Sequence, residues 1–451
     1  MRSDHRLTPP RGSLPSKKKA ACTRTFPSSP ARDHHLVIAE RGWQSSNNQG
    51  GGCQKMPRQS PQHPLMLLPS TGIGGCEVFF GRLVESVIAS HRRVSLALPD
   101  VGEVRRLINA PRGRRSLYLP WLGANERAGS DWGSFPRQYA RACDLLRRTD
   151  ADFVWMVLPA PEAAVGMMAA AHDLGIPGIC VFQLAASAVP VPSAERRRAR
   201  SALMSGLLPV AVSDDNRAAI AATFTLPPQR IRVIRNAAEL RPPPSGDDER
   251  AATRRSLGLL PDQMLIITVA RLTHQKGYDL LVEVARAWQA AGRSAKFLWL
   301  GDGEWRSRLI DATRGLHNVV MAGRVEAEDV RRYLAASDVF VLPSRWEGTP
   351  LALSEAMSMG LPVVAAAIGS IGEMVSDTDA ALFAAGDAAA LDSALRRVVD
   401  RPDERRRLGA AALARHASYG PVDMLRLYHA LVPEATGRRA ARITRCRAAV
   451  G

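Results

Sequence analysis

VFVLPSRWEGTPLALSEAMSMGLPVVAAA, residues 339–367, holds in one run the pattern that decides the fold. VFVLP (339–343) has the length and composition of a buried strand, and VVAAA (363–367) repeats that pattern after Gly360 and Pro362. Between them Thr349 is placed to cap a helix whose first residue is Pro350, since the fixed φ and missing N–H of proline suit that position. Glu347 then falls in the loop before the helix, and Glu355 about a turn and a half inside it. Strand, short loop, helix, Gly-Pro turn and strand make one β-α-β unit.

The same alternation extends outward in both directions. LIITVA (265–270), FLWLG (297–301) and VVMAG (319–323) precede the deciding stretch, each followed by a helix-length segment. Nearer the start stand LMLL (65–68), VSLALPD (94–100), FVWMVLP (153–159), IPGICVF (176–182), LPVAVS (208–213) and IRVIRN (231–236). Helices are expected between them over 77–90, 137–148, 162–174 and from Asp215. Apolar strands alternating with helices imply parallel sheets covered on both faces, an α/β fold. RPPPSGDDER (241–250) reads as a linker, and 451 residues are comfortable for two domains. We therefore expect one Rossmann-like, doubly wound domain over 65–240 and a second over 251–420.

In open α/β sheets ligands bind beyond the carboxyl ends of the strands, so chemistry belongs in the loops that follow them. ITVARLTHQKG (267–277) is such a loop. Arg271 stands where a strand ends, and Lys276 at the start of the next helix. An arginine fork and a lysine point charge near a helix N-terminus suit a diphosphate. On spacing alone, a pair of solvated loop cations stands open as the alternative.

The formal charge of +18 resembles a nucleic-acid signal until it is divided along the chain. Residues 1–64 carry +8 and residues 437–451 carry +5, so most of the basicity sits in the two tails. The head, rich in Pro, Ser, Gln and Gly with the run Lys17-Lys18-Lys19, reads as a disordered basic extension without the apolar core of a signal peptide. A start of translation at Met56 or Met66 is the other reading of that head. No run of 18 apolar residues occurs, which excludes a transmembrane helix. Six scattered cysteines without a C-x-x-C pair read as inert thiols of a reducing compartment. A cytoplasmic protein is expected.

Several motifs point elsewhere and are weaker. TGIGGCE (71–77) has Glu77 where a dinucleotide fingerprint needs its third glycine. Asp377-Thr378-Asp379 spells D-x-D but does not follow a strand, and reads as a solvated loop. The histidines form no H-E-x-x-H or ligand-type pair, so no metal site is expected. ERRRAR (195–200) reads as a solvated helix face, or as a face that meets anionic lipid headgroups.

Taken in order, EGTPLALSE (347–355), ARLTHQKG (270–277) and the run from VARLTHQKGYDLLVEVA through FLWLGDGEWRSRL, VVMAGRV and VRRYLAASDVFVLP resemble glycosyltransferase family 4. These are retaining enzymes of the GT-B fold, with two Rossmann-like domains about a cleft and an E-x7-E signature. The resemblance is strong over 265–420 and fainter but continuous through STGIGGCE (70–77), residues 153–182 and residues 210–237. It implies a nucleotide-diphosphate sugar as donor, bound without a metal or other cofactor, and a saccharide or lipid-linked acceptor. Arg271 and Lys276 are then the grip on the donor diphosphate, Glu355 the ligand of the ribose diol, and Glu347 a group beside the transferred sugar. Gly74 and Gly75 let backbone N–H groups approach the donor or acceptor. Thr349, Pro350 and Leu351 belong to the donor-binding helix start. The resemblance also implies that the helix over 421–436, with VDMLRLYHALV (422–432), crosses back onto the first domain.

The chain departs from the family pattern at three places. Gln183 stands where relatives carry a histidine that lines the sugar site, Asn236-Ala237 replaces Asn-Gly, and Gly369-Ser370 replaces Gly-Gly. These changes leave an inactive nucleotide-sugar-binding relative, or a sugar-nucleotide epimerase on the same fold, as the rival readings. A nucleic-acid-binding protein would rest on the charged tails alone. Removing residues 1–55 and 437–451 is therefore expected to leave sugar transfer intact; loss of the only measurable activity, if that activity were nucleic-acid binding, would overturn the enzyme reading.

Overall fold

The structure is a computed structural model that describes residues 61–70, 74–99, 104, 117–120, 135–238, 246–418 and 421–438. The expectations for the basic head, for the start of TGIGGCE (71–73), for residues 241–245 and for the tail from 439 onward lie outside the described residues.

In the first lobe seven strands run in parallel: β1 (Pro64–Leu67), β2 (Ser95–Leu98), β3 (Leu117–Pro120), β4 (Phe153–Leu158), β5 (Gly178–Phe182), β6 (Leu207–Ala211) and β7 (Arg232–Val233). Their spatial order is β3-β2-β1-β4-β5-β6-β7. Strands β1, β4, β5 and β6 are apolar throughout because each faces two cores. Leu65, Leu67, Val154 and Met156 enter one core, while Met66, Leu68, Phe153 and Trp155 enter the other. That is the period of two expected of a strand, with both faces dry.

Six more strands build the second lobe: β8 (Met264–Val269), β9 (Ala295–Leu300), β10 (Val319–Gly323), β11 (Val339–Leu342), β12 (Val363–Ala366) and β13 (Ala381–Phe383). Their order is β10-β9-β8-β11-β12-β13, again parallel. Ile266, Phe297 and Trp299 face one side, and Leu265, Ile267, Leu298 and Leu300 the other.

Both orders reverse direction once, between β1 and β4 in the first lobe and between β8 and β11 in the second. At such a switch point the loops leaving adjacent strands diverge to opposite faces and open a crevice at the carboxyl ends. The loop after β1 carries Gly74 and Gly75; those after β8 and β11 carry Arg271 and Glu347. Topology therefore puts every singled-out loop at a crevice mouth.

The helix Pro421–Ala430 returns to the first lobe. Tyr428 is fully buried, its ring 5.3 Å from Phe79 and 6.4 Å from Trp155, and His429 Nε2 lies 2.6 Å from Ser86 Oγ. Arg232 and Glu434 pair at 3.0 Å farther along.

Several sequence expectations need correction. The helix after Glu347 spans Leu351–Ser358 with Pro350 as its N-cap, so Pro350 is outside the helix and Thr349 does not cap it. The Thr349 hydroxyl instead donates to the Val212 carbonyl of the first lobe. A long-range acceptor at the end of β6 wins over a local N–H. The stretch expected as a linker already contains the start of the helix Gly246–Ser256. Asp379 of the D-x-D triplet is buried, not solvated: it accepts from the Ser376 amide at 3.1 Å and hydroxyl at 2.7 Å and braces a turn. Strands β3 and β13 were not foreseen. The short ALF of β13 and the LYLP of β3 carry too few apolar residues to announce a strand.

Gly348 is held to its residue type by distance. A Cβ there would lie 2.0 Å from the Gln183 carbonyl oxygen of the first lobe. Gly348→Ala must push two backbones apart and is expected to cost about 1–3 kcal/mol, seen as a fall of several degrees in Tm. Gly372→Ala, where a Cβ meets nothing within 4 Å, is expected to leave Tm in place.

Candidate functional site

Two loops of the second lobe are stitched into one surface. Gln275 Nε2 donates to the Trp346 carbonyl at 2.8 Å, and the Arg345 amide donates to the Gln275 carbonyl at 2.8 Å. Arg345 also pairs with Asp279 at 2.6 Å, and this arginine holds the Asp279 carboxyl below its ordinary range against the opposing effect of burial. Gly277, with φ +68°, turns the chain between the turn His274–Lys276 and the helix Tyr278–Ala290. A Cβ at Gly277 would lie 2.1 Å from the Pro343 carbonyl oxygen, so the lysine loop can lie flat on the end of β11 only with glycine there.

On that surface Lys276 Nζ lies 2.5 Å from Glu347 Oε1, and the Ser344 hydroxyl donates to the same oxygen at 2.6 Å. Both side chains of the pair are nearly buried. Glu347 is therefore engaged by Lys276. Arg271, in contrast, donates to the Gln275 side chain at 3.3 Å and reaches across to the first lobe. A Cβ on Gly74 would lie 3.4 Å from Arg271 Cδ, so the arginine lies against the glycine turn.

Gly74 is the N-cap of the helix Gly75–Ser90, and its amide donates to Glu77 Oε2 at 2.7 Å. Burial raises the Glu77 carboxyl from its ordinary value, while Ser70, the Gly74 amide and the charge of Arg271 oppose the rise. A Cβ on Gly75 would meet Leu351 Cδ1 at 3.9 Å. Leu351, first residue of its helix, is buried in the first lobe's core cluster. Two helix N-termini, one from each lobe, thus meet beside Arg271.

Glu355, one turn beyond Leu351, faces the same first-lobe helix. Arg82 Nη2 stands 3.5 Å from Glu355 Oε1. Burial raises the Glu355 carboxyl, with Arg82 and then Arg331 pulling it down. The structure therefore sets Arg271, Leu351 and Glu355 against one first-lobe helix, along Gly74 to Arg82, and places Lys276 and Glu347 in neighbouring loops of the second lobe.

The lobes are joined on the other side of this site by polar contacts. The Ala238 amide donates to Ser354 Oγ at 2.8 Å, and Asn236 Nδ2 donates to the Thr349 carbonyl at 3.4 Å and to Gln183 Oε1 at 2.8 Å. Glu373 accepts from the amides of Asp214 and Asp215 at 2.8 and 3.1 Å, capping a first-lobe helix, and pairs with Arg235 at 2.8 Å. Gln183 Nε2 and Asn236 Oδ1 are buried with no partner among the described residues. Sequence reasoning singled out Gln183 but missed Arg82, Ser344 and Glu373. No local signal marks Arg82 or Glu373, whose partners Glu355 and Asp214 belong to the other lobe; Ser344 lies three residues from Glu347, where a serine in a loop carries no signal of its own.

Residues 249–415 match the model of the family described as glycosyl transferases group 1. A GDP-mannose-dependent monoacylated alpha-(1-6)-phosphatidylinositol monomannoside mannosyltransferase of Corynebacterium glutamicum is 32% identical over 179 residues, 38% of this chain and 47% of that protein. The lipopolysaccharide core biosynthesis mannosyltransferase LpsB of Rhizobium meliloti is 34% identical over 178 residues, 36% of this chain and 48% of that one. The chain thus spans under half the length of these curated relatives. Among solved structures, Anabaena HepE in complex with UDP and glucose superposes with a TM-score of 0.69 at 17% identity, covering 83% of this chain and 100% of that one. WaaG, a glycosyltransferase involved in lipopolysaccharide biosynthesis, gives a TM-score of 0.62 at 15% identity, covering 82% and 99%. The fold is GT-B.

Removing one partner of a nearly buried ion pair strands the other. Lys276→Met is expected to lower the unfolding free energy by about 3 kcal/mol. Lys276→Met combined with Glu347→Gln is expected to regain most of that loss in denaturant unfolding.

Proposed function

We propose, from the match of residues 249–415 to the glycosyl transferases group 1 family, that the chain is a retaining glycosyltransferase acting on a nucleotide-diphosphate sugar. The acceptor is a saccharide or lipid-linked saccharide, in the synthesis of cell-surface polysaccharide or glycoconjugate. One observation carries this reading: Arg271 and two helix N-termini meet where the Gly74–Gly75 turn of one lobe faces Leu351 of the other. Helix N-termini and a guanidinium are the groups that bind a diphosphate.

In this reading the leaving group gains negative charge as the sugar becomes cationic. Fixed positive groups at the diphosphate end then favour the transition state over the ground state. Arg271 and Lys276 supply them, so the reaction needs no metal. Arrival of the diphosphate competes with Glu347 for Lys276, which turns the Glu347 carboxylate toward the sugar. Glu355 accepts from the two ribose hydroxyls. The buried Gln183 Nε2 and Asn236 Oδ1, a donor and an acceptor without partners, suit a sugar hydroxyl, which can both accept and donate. The same reading places the protein in the cytoplasm, at an anionic membrane face if the acceptor is lipid-linked. Arg196, Arg197 and Arg198, exposed on the helix Ser193–Ser205, suit that contact.

The test is transfer from a panel of UDP- and GDP-sugars to saccharide and lipid-linked acceptors, read by product mass. Glu355→Ala is expected to weaken UDP or GDP about tenfold or more, the loss of hydrogen bonds to a charged acceptor. Unchanged nucleotide affinity would remove Glu355 from the ribose. Binding without transfer from any donor would mark a nucleotide-sugar-binding relative instead.

A further inference from the structure

Glu355 is a carboxylate with an unusual set of neighbours. No side chain or amide among the described residues donates a hydrogen bond to it, and at 3.5 Å Arg82 offers charge rather than a short hydrogen bond. Arg82 itself is anchored by a donation from Nη1 to the Ala237 carbonyl at 3.4 Å. Both Arg82 and Glu355 side chains are 26% exposed, so the pair lines the crevice rather than the outer surface. The two residues belong to different lobes.

We infer that Arg82 is a positioning residue for donor recognition: its guanidinium, reaching from the first lobe, keeps the Glu355 carboxylate ionised for the ribose hydroxyls. The inference rests on the assignment of Glu355 to the ribose. The chemistry is direct. Two hydroxyl donors need an acceptor-only carboxylate, and a protonated acid would waste one oxygen as a donor. Burial works against the ionised form, and Arg82 is the largest influence opposing it. Affinity for the nucleotide then depends on a cation that is in place only when the first lobe stands against the second.

The other charged groups near Glu355 do not replace Arg82. Arg331, on the helix Ala327–Ala336, acts more weakly on the carboxyl. His416, on the helix Pro402–Ala417, contacts the neighbouring Ser354 at 3.1 Å, and burial lowers it from its ordinary value so that it stays neutral near pH 7. Lys276 is paired with Glu347, and Arg271 lies against Gly74.

The experiment measures binding of UDP and of GDP by calorimetry between pH 5 and 8, using the full chain and its Arg82→Met, Arg82→Lys and Glu355→Gln variants. The ligand's own phosphate titration is common to all four proteins and cancels in the ratios. Arg82→Met is expected to weaken the better nucleotide about fivefold at pH 7 and to move the acid limb of the profile to higher pH. The direction follows from the loss of a cation, which raises a carboxyl further. Arg82→Lys is expected to restore the limb toward its original position. Glu355→Gln, whose amide does not titrate, is expected to bind with no acid limb beyond the ligand's own titration. A uniform loss in Arg82→Met with no displacement of the limb would overturn the inference and leave Arg82 as a brace between lobes. If Glu355→Gln binds nucleotide as tightly as wild type, the ribose assignment itself fails, a result distinct from the first.

Discussion

The protein depends on one topological constraint: β8 and β11 are neighbours in space although two strands separate them in the chain. Loops leaving them go to opposite faces of the sheet, and what they leave between them is a crevice floored by backbone ends. The Gln275, Trp346 and Arg345 hydrogen bonds close that floor, and the Gly277 turn keeps the lysine loop flat on it. Without this adjacency Lys276 and Glu347, 71 residues apart in sequence, would have no reason to meet. The equivalent switch between β1 and β4 supplies the glycine turn opposite.

What joins the two crevices is mostly polar and mostly backbone. Thr349 to Val212, Ala238 to Ser354 and Glu373 to the amides of Asp214 and Asp215 are hydrogen bonds in which one partner is main chain. A bond of that kind contributes about 1 kcal/mol net, because water would satisfy both groups on separation. Leu351 is the apolar exception, set into the first lobe's core. An interface made this way holds register tightly while adding little total free energy.

Much of this was legible in the chain before any coordinates. Apolar runs of four to six residues are fully buried on both faces in a parallel sheet, so β1, β4, β8, β9 and β11 announced themselves within a residue or two. Arg271 and Lys276 stood out because ligands of such a fold bind beyond strand ends, whereas Glu347 and Glu355 were singled out through the family resemblance of EGTPLALSE. Thr349 looks like a cap only while sequence neighbours are counted, for its acceptor is Val212 in the other lobe; Asp379 is taken up locally, by the Ser376 turn, which composition alone does not announce. Arg82 was invisible for the same reason as the Thr349 contact: on a helix surface, an arginine reads as a solvated charge until another lobe supplies a carboxylate.

The buried charges also say where stability was not the object. A pair such as Lys276 and Glu347 gains in Coulomb attraction roughly what it loses in hydration, so apolar residues of similar size would serve the fold as well. Glu77 and Glu355 are costlier still, since burial pushes both toward the neutral form and each is opposed by an arginine, Arg271 for one and Arg82 for the other. In each case the arginine lies in the other lobe from the acid. Pairing across the gap ties Glu355 to lobe position, since Arg82 is the largest influence opposing its burial; at Glu77 the Ser70 hydroxyl and backbone amides of its own lobe outweigh Arg271. Glu77, Glu347 and Glu355 thus stand beside Arg271, Lys276 and Arg82 around the contact between the lobes, and two of the three pairings reach across it.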